Sequence, residues 1–173
     1  IEFAPDGVAP AIDINDPRLI RMRTFSKGYG MAGARVGYAI GQRDLIRSFD
    51  KIRNHFGMNR AAQAGALAAL NDTNWLDVVR AQAASSRTSI NTIARDNGLS
   101  TLPSATNFVA VDCQQDGAFA QRVLAALLEQ GIFVRMPFVA PQNRCIRIST
   151  GTAKNMQLLA KALPLALQQA RQG

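Results

Sequence analysis

The sequence predicts an α/β fold, and three features of its pattern carry that expectation. From about residue 99 onward, apolar runs of four or five residues alternate with longer amphipathic stretches, as strands alternating with helices do. Two segments, 60–71 and 73–97, have helical character, the first rich in alanine and suited to close helix packing. Upstream, Gly28, Gly30, Gly33 and Gly37 fall between two short extended runs, a tight turn joining strand-like pieces.

In chain order, residues 1–15 are loop, broken by Pro5, Gly7 and Pro10, with Pro17 just beyond. Residues 18–23 lead into Thr24-Phe25-Ser26-Lys27, a short extended piece ending at the glycines. Residues 34–40 are expected as a strand, with Val36, Tyr38 and Ile40 on one face and Arg35 on the other. Residues 42–54 are expected to be helical, before a turn around Gly57. Asn59 is the expected N-cap of helix 60–71, and Asn97-Gly98 the stop signal of helix 73–97. Next come a strand at 108–111, a helix over 116–130 ended by Gly131, and strands at 132–135 and 145–149. A helix over 152–171 with Thr152 as N-cap closes the chain.

Charge and cysteine usage exclude several classes of function. Lys and Arg outnumber Asp and Glu by 20 to 12, a net +8, but residues 1–60 and 61–173 each hold ten basic and six acidic side chains. The surplus is therefore spread, and with only 6% aromatic residues it lacks the basic–aromatic interleaving of a single-strand binder. No specific nucleic-acid partner is expected. One histidine, His55, and two distant cysteines, Cys113 and Cys145, make neither a zinc cluster nor a disulfide framework. His55 reads as a loop histidine and the cysteines as buried thiols, which fits a reducing cytoplasm. No stretch approaches the roughly 20 apolar residues of a membrane helix. Residues 1–6 show no basic run before an apolar core, so no secretory signal is expected.

The informative segment is Thr24-Phe25-Ser26-Lys27-Gly28-Tyr29-Gly30-Met31-Ala32-Gly33-Ala34-Arg35-Val36-Gly37. It combines a Thr-x-Ser-Lys run, small residues at 28, 30 and 33, and an arginine eight positions after the lysine. This combination resembles the lysine motif of fold type I pyridoxal-phosphate aminotransferases, especially the histidinol-phosphate aminotransferase-like group. The resemblance implies that Lys27 carries pyridoxal 5'-phosphate as a Schiff base, that Ser26 and Arg35 bind its phosphate, and that Thr24 is a further cofactor-binding residue. The chemistry agrees with these assignments. A lysine that reaches an aldehyde needs neighbours of little bulk, glycines expose backbone N–H groups to a phosphate, and arginine offers a planar fork to a dianion. The competing reading is a glycine-rich hairpin with a solvated lysine and arginine.

Further positions match the same family. Arg147, in Cys-Ile-Arg-Ile-Ser-Thr-Gly, resembles the C-terminal strand arginine that holds the substrate α-carboxylate; Ile146 and Ile148 point away from it. Arg135, in Gly-Ile-Phe-Val-Arg, matches a second position near the substrate tail, and reads equally as an ordinary strand-end arginine. Asn107, in Ala-Thr-Asn-Phe, lies near the substrate by resemblance or serves a turn.

The resemblance implies an aspartate aminotransferase-like architecture. Residues 1–58 end the large cofactor domain, 59–98 are connecting helices, and 99–173 form a small C-terminal α/β domain. Ile1-Glu2-Phe3 resembles the residues just after the family's Asp-Glu-Ala-Tyr segment, so the chain is expected to be the C-terminal part of a longer enzyme. The implied reaction moves an amino group between an amino acid and a 2-oxo acid in a homodimer, with no metal. A decarboxylase of the threonine-phosphate type is the alternative, weakened by Ala32 where those relatives tend to have proline. An aminotransferase-like regulator domain is the other; its motif usually has a shorter lysine-to-arginine spacing.

Overall fold

The computed structural model describes residues 1–172 and divides into two compact units, Ile1–Arg80 and Ala81 onward. In the first, β1 (Ile20–Thr24) pairs antiparallel with β2 (Gly37–Gly41), Thr24 opposite Gly37 and Ile20 opposite Gly41. A Cβ on Gly37 would stand 2.6 Å from the Arg23 carbonyl oxygen. The absence of a side chain there lets the two strands meet at the mouth of the loop between them.

β2 begins three residues later than expected. Ala32–Ala34 form a 3₁₀ turn and Arg35 is left-handed, with φ +53°, so Arg35 belongs to the turn and not to a strand face. The cause is a pinch. The Phe25 N–H donates to the Val36 carbonyl at 3.3 Å and the Met31 N–H to the Phe25 carbonyl at 3.0 Å, and the chain must reverse sharply to bring Val36 under Phe25.

The next helix is also shorter than expected. α1 (Arg43–Ser48) is capped by the Gln42 side chain, which accepts from the Asp44 and Leu45 N–H groups at 2.8 and 3.0 Å. A 3₁₀ turn at Phe49–Lys51 comes next. The Asn54 side chain then accepts the Phe56 N–H at 2.9 Å, a local bond that competes with helix continuation. α2 (Arg60–Asn71) has its expected cap, Asn59 accepting from Ala62 at 2.7 Å. Asp72 ends α2 and opens α3 (Thr73–Asp96) by accepting the Trp75 N–H at 3.0 Å. The core of this unit is Phe25, Val36, Ala62 and Ala66, flanked by Tyr29, Met31 and Tyr38.

In the second unit β3 (Ser100–Thr101), β4 (Phe108–Asp112) and β5 (Cys145–Ser149) make an antiparallel sheet in that order. Val109 and Val111 of β4, with Ile146 and Ile148 of β5, face the core, the last two as their alternation with Arg147 predicts. α4 (Gly117–Glu129) is capped by Asp116, which accepts from Phe119 at 2.8 Å. α5 (Ala153–Gln172) opens with a reciprocal cap: the Asn155 N–H donates to Thr152 Oγ1 at 3.3 Å, and the Thr152 N–H to Asn155 Oδ1 at 2.9 Å. Both helices lay Val123, Leu127, Leu159, Leu163 and Leu167 into the same core.

The expected strand at 132–135 is not formed. The Ile132 N–H still closes the end of α4 by donating to Leu127 at 2.9 Å, and Pro137 soon removes a donor. What remains is one bridge, Arg135 opposite Arg147. β3 has no counterpart among the sequence expectations, being two polar residues long.

Candidate functional site

The lysine loop hangs between two buried anchors. Phe25 is 2% exposed and its ring lies 5.0 Å from Tyr29 and 5.6 Å from Tyr38. Val36 is 6% exposed. Ser26 comes directly after the first anchor and Arg35 directly before the second, so burial of the two apolar side chains brings these polar neighbours to one place. Thr24, Ser26 and Arg35 all line a cavity of about 410 Å³, together with Met22, Arg23, Val36 and Gly37. Lys27 is exposed on the adjoining turn, where its carbonyl accepts the Gly30 N–H at 2.9 Å. Gly30 takes φ +68°, a conformation that suits glycine.

The polar groups of this cavity are partly committed. Thr24 Oγ1 accepts the Ser26 N–H at 3.1 Å and keeps its own proton to donate. Arg35 spends one N–H on the Ala32 carbonyl at 2.7 Å, which leaves most of its fork unoccupied. Two hydroxyls and a guanidinium on one concave surface form a donor set suited to a phosphate dianion.

In the second unit, Arg135 and Arg147 exchange backbone hydrogen bonds of 3.2 and 2.6 Å and so stand opposite one another. The Arg147 guanidinium lies 4.8 Å from the centre of the Phe108 ring, and that of Arg135 lies 6.0 Å from the Phe133 ring, both cation–π distances. Both arginines line a cavity of about 630 Å³ whose other walls are Leu124, Phe133, Val134, Met136, Pro137 and Phe138. Neither has a carboxylate partner among the described residues. Like charges placed directly opposite are unfavourable, and an anion between them would remove that cost.

Asn107 is half-buried beside the end of β4. Its carbonyl accepts both the N–H and the hydroxyl of Thr150, at 2.9 and 3.1 Å. α3 supports this corner twice. Ser86 Oγ accepts the Gly151 N–H at 3.0 Å, and the Arg87 guanidinium donates to the Thr106 carbonyl at 2.9 Å.

Arg23 on the first cavity, and Phe108, Phe133, Met136 and Phe138 around the arginine pair, were not singled out from the sequence. Period-two alternation places Arg23 on the face of Arg21, which is the only signal it offers. The others depend on which strands pair. Cys113 is unsuited to chemistry, since burial pushes its thiol up to about 12. His55 lines neither cavity. No helix among the described residues is long and apolar enough to cross a membrane.

The architecture is the α/β portion of a fold type I aminotransferase. The structure of histidinol-phosphate aminotransferase from Sinorhizobium meliloti, in complex with pyridoxal-5'-phosphate, superposes with a TM-score of 0.93 at 52% identity, over 96% of this chain and 46% of that one. The chain belongs to the family of class I and II aminotransferases, which matches residues 3–163. Histidinol-phosphate aminotransferase 2 of Ralstonia nicotianae is 40% identical over 154 residues, 89% of this chain and 41% of that protein. The chain therefore spans less than half the length of these relatives. The fold is shared with L-threonine-O-3-phosphate decarboxylase of Porphyromonas gingivalis, at TM-score 0.80 and 22% identity.

Proposed function

We propose that this chain is the cofactor-anchoring and carboxylate-binding part of a pyridoxal-phosphate-dependent aminotransferase of the histidinol-phosphate type. Residues 1–58 end its large domain, 59–98 connect, and 99–173 form its small domain. The observation that carries the reading is the convergence of Thr24, Ser26 and Arg35 on one cavity beside the exposed Lys27. That donor set fits the phosphate of pyridoxal 5'-phosphate, and an exposed primary amine on a turn of small residues fits its aldehyde.

When bound, the cofactor supplies an electron sink for charge developing at the substrate α-carbon. The chain's own residues do the rest. Lys27 would hold the cofactor through its amine, and with that amine free it would take the proton from the substrate α-carbon as a general base and hand it on, as a general acid, to a site other than that carbon. Arg35 and the two hydroxyls hold the phosphate against movement during that exchange. Arg147, its planar fork steadied by the Phe108 ring, receives the α-carboxylate. Arg135 doubles the positive charge at the same cavity, and Asn107 orients the substrate nearby. The substrates are an amino acid, or an amine resembling histidinol phosphate, and a 2-oxo acid.

A homodimer and a cytoplasmic setting complete the proposal. Leu67 and Leu70 on α2 are 64% and 45% exposed, apolar surface that a second copy would cover. Two free, buried thiols suit a reducing compartment.

The test is borohydride reduction of the full-length protein with pyridoxal phosphate, with peptide mass mapping of the product. One phosphopyridoxyl adduct on Lys27, lost in Lys27→Ala, is expected; an adduct elsewhere, or none, overturns the assignment. Release of a keto acid without carbon dioxide separates transamination from decarboxylation.

A further inference from the structure

Glu2 is buried, its side chain only 6% exposed, in a unit whose other acidic side chains lie near solvent. Glu2 Oε1 accepts the Arg23 Nε–H at 2.8 Å. Its stem also touches the far side of the lysine turn: a Cβ built on Gly28 would stand 3.3 Å from Glu2 Cβ and 3.5 Å from Cγ, with Leu76 at 3.2 Å. One residue therefore bonds the side chain four positions before Lys27 and fills the space a side chain one position after it would take. Arg23 in turn lines the cavity of Thr24, Ser26 and Arg35.

Charge obeys the same geometry. Burial alone pushes the Glu2 carboxyl up, but a backbone hydrogen bond and the Arg23 guanidinium outweigh it, and the group sits below the usual carboxylate range. Tyr29, two residues past Lys27, is pushed up chiefly by burial, with the Tyr38 and Glu2 charges adding to the shift and the Arg23 charge opposing it. An ionised carboxylate removed from water needs a hydrogen-bonded partner, and Arg23 is that partner.

We propose that Glu2 is a positioning residue for the lysine loop: through Arg23 on one side and Gly28 on the other, it clamps residues 24–28 and so sets where Ser26 and Lys27 stand. Its link to cofactor binding rests on the function proposed above; the clamp itself does not. Glu2→Gln preserves the shape and removes the charge. The Arg23 Nε–H is then left with at most a weaker bond to a neutral amide oxygen, and its hold on the segment loosens.

The experiment has two arms in the full-length protein. Amide hydrogen exchange without cofactor reads the clamp directly. Glu2→Gln is expected to speed exchange over residues 24–30 by about tenfold, the loss of one charge-assisted hydrogen bond, while 108–112 and 145–149 keep their rates. Borohydride trapping across a pyridoxal phosphate titration reads the consequence, with half-maximal labelling of Lys27 moving to about tenfold higher concentration. Arg23→Gln added to Glu2→Gln should speed exchange over 24–30 little further, because both substitutions weaken the same ion pair. Unchanged exchange over 24–30, or additive effects of the two substitutions, overturns the clamp. If Glu2→Gln unfolds the protein, Glu2→Asp is measured instead, and native exchange rates in that shorter acid overturn it equally. Wild-type protein that exchanges as expected but never labels Lys27 defeats the cofactor reading and leaves the clamp standing.

Discussion

Residues 1–80 and residues 81–172 carry their apolar side chains in opposite ways. The second unit gathers 21 buried residues from α3, α4, α5 and the sheet into one core, whereas the corresponding cluster of the first holds four. In the first unit Ile52, Phe56 and Leu67 are 84%, 94% and 64% exposed. The exposed aromatics of the second, Phe133 and Phe138, lie on the walls of the arginine cavity. The contrast separates two tasks. One unit is stabilised by its own interior and presents a rigid pair of arginines. The other holds the lysine loop on a small internal core and leaves apolar surface exposed.

The strongest way to break this comparison is a pair of truncations. Leu163 of α5 is fully buried, so Leu163→Ala should cost about 2–5 kcal/mol of cooperative unfolding free energy. Leu67→Ala in the chain by itself should stay within about 0.5 kcal/mol. Urea denaturation measures both, and equal losses would mean that Leu67 is packed as tightly as Leu163. The same Leu67→Ala measured in the full-length protein sharpens the point: a larger cost there would show that its face is covered.

A smaller effect is expected at the corner held by α3. Ser86 is 4% exposed and its hydroxyl is the partner of the Gly151 N–H. Ser86→Ala should cost about 1–3 kcal/mol, the penalty of a buried donor left without an acceptor. On the function proposed above, the full-length protein with this substitution should also show a KM for the amino donor raised more than its kcat is lowered, since the turn after β5 follows Arg147 by three residues. Steady-state kinetics with denaturation check this, and a change in kcat alone would argue against a positioning effect on binding.

The smallest is electrostatic. Asp112 receives the Arg144 fork at 2.9 and 2.8 Å and the Gln114 N–H at 2.7 Å. Burial pushes its carboxyl up, yet these hydrogen bonds prevail and hold it below the usual range. A lowered folded value means that the stabilisation is complete above the unfolded value, about 3.9, and is lost as pH falls through the folded one. Asp112→Asn should therefore be less stable than the parent at pH 7, with the gap closing in acid. A gap that persists well below pH 3 would locate its origin elsewhere.

Much of the fold was legible because it is written in short-range chemistry. Asn59, Thr152, Gly98 and Gly131 stand at helix ends as expected, each satisfying or releasing a backbone group within a few residues of itself. The strand at 145–149 shows in its alternation, and the one expected at 108–111 in its short apolar run, which the structure extends by one residue to Asp112. The misread elements share a different cause. Residues 132–135 look like a strand by composition, but Ile132 remains bonded to the end of α4. Arg35 looks like a strand residue, but the pairing of Phe25 with Val36 forces it left-handed. β3 is visible only because β4 stands beside it.

The candidate site divides along the same line. The sequence by itself determined the family, the residue types at positions 24, 26, 27, 35 and 147, and the glycine spacing that accompanies the lysine, because those are covalent facts of local order. Only the tertiary structure decided that Thr24, Ser26 and Arg35 share one cavity while Lys27 sits on the turn beside it. It alone set Arg135 opposite Arg147 and put Glu2 beneath Gly28. These juxtapositions come from burial of Phe25 and Val36, from one cross-strand bridge and from one enclosed carboxylate. Each is an energy shared between residues distant in sequence, which no local pattern records.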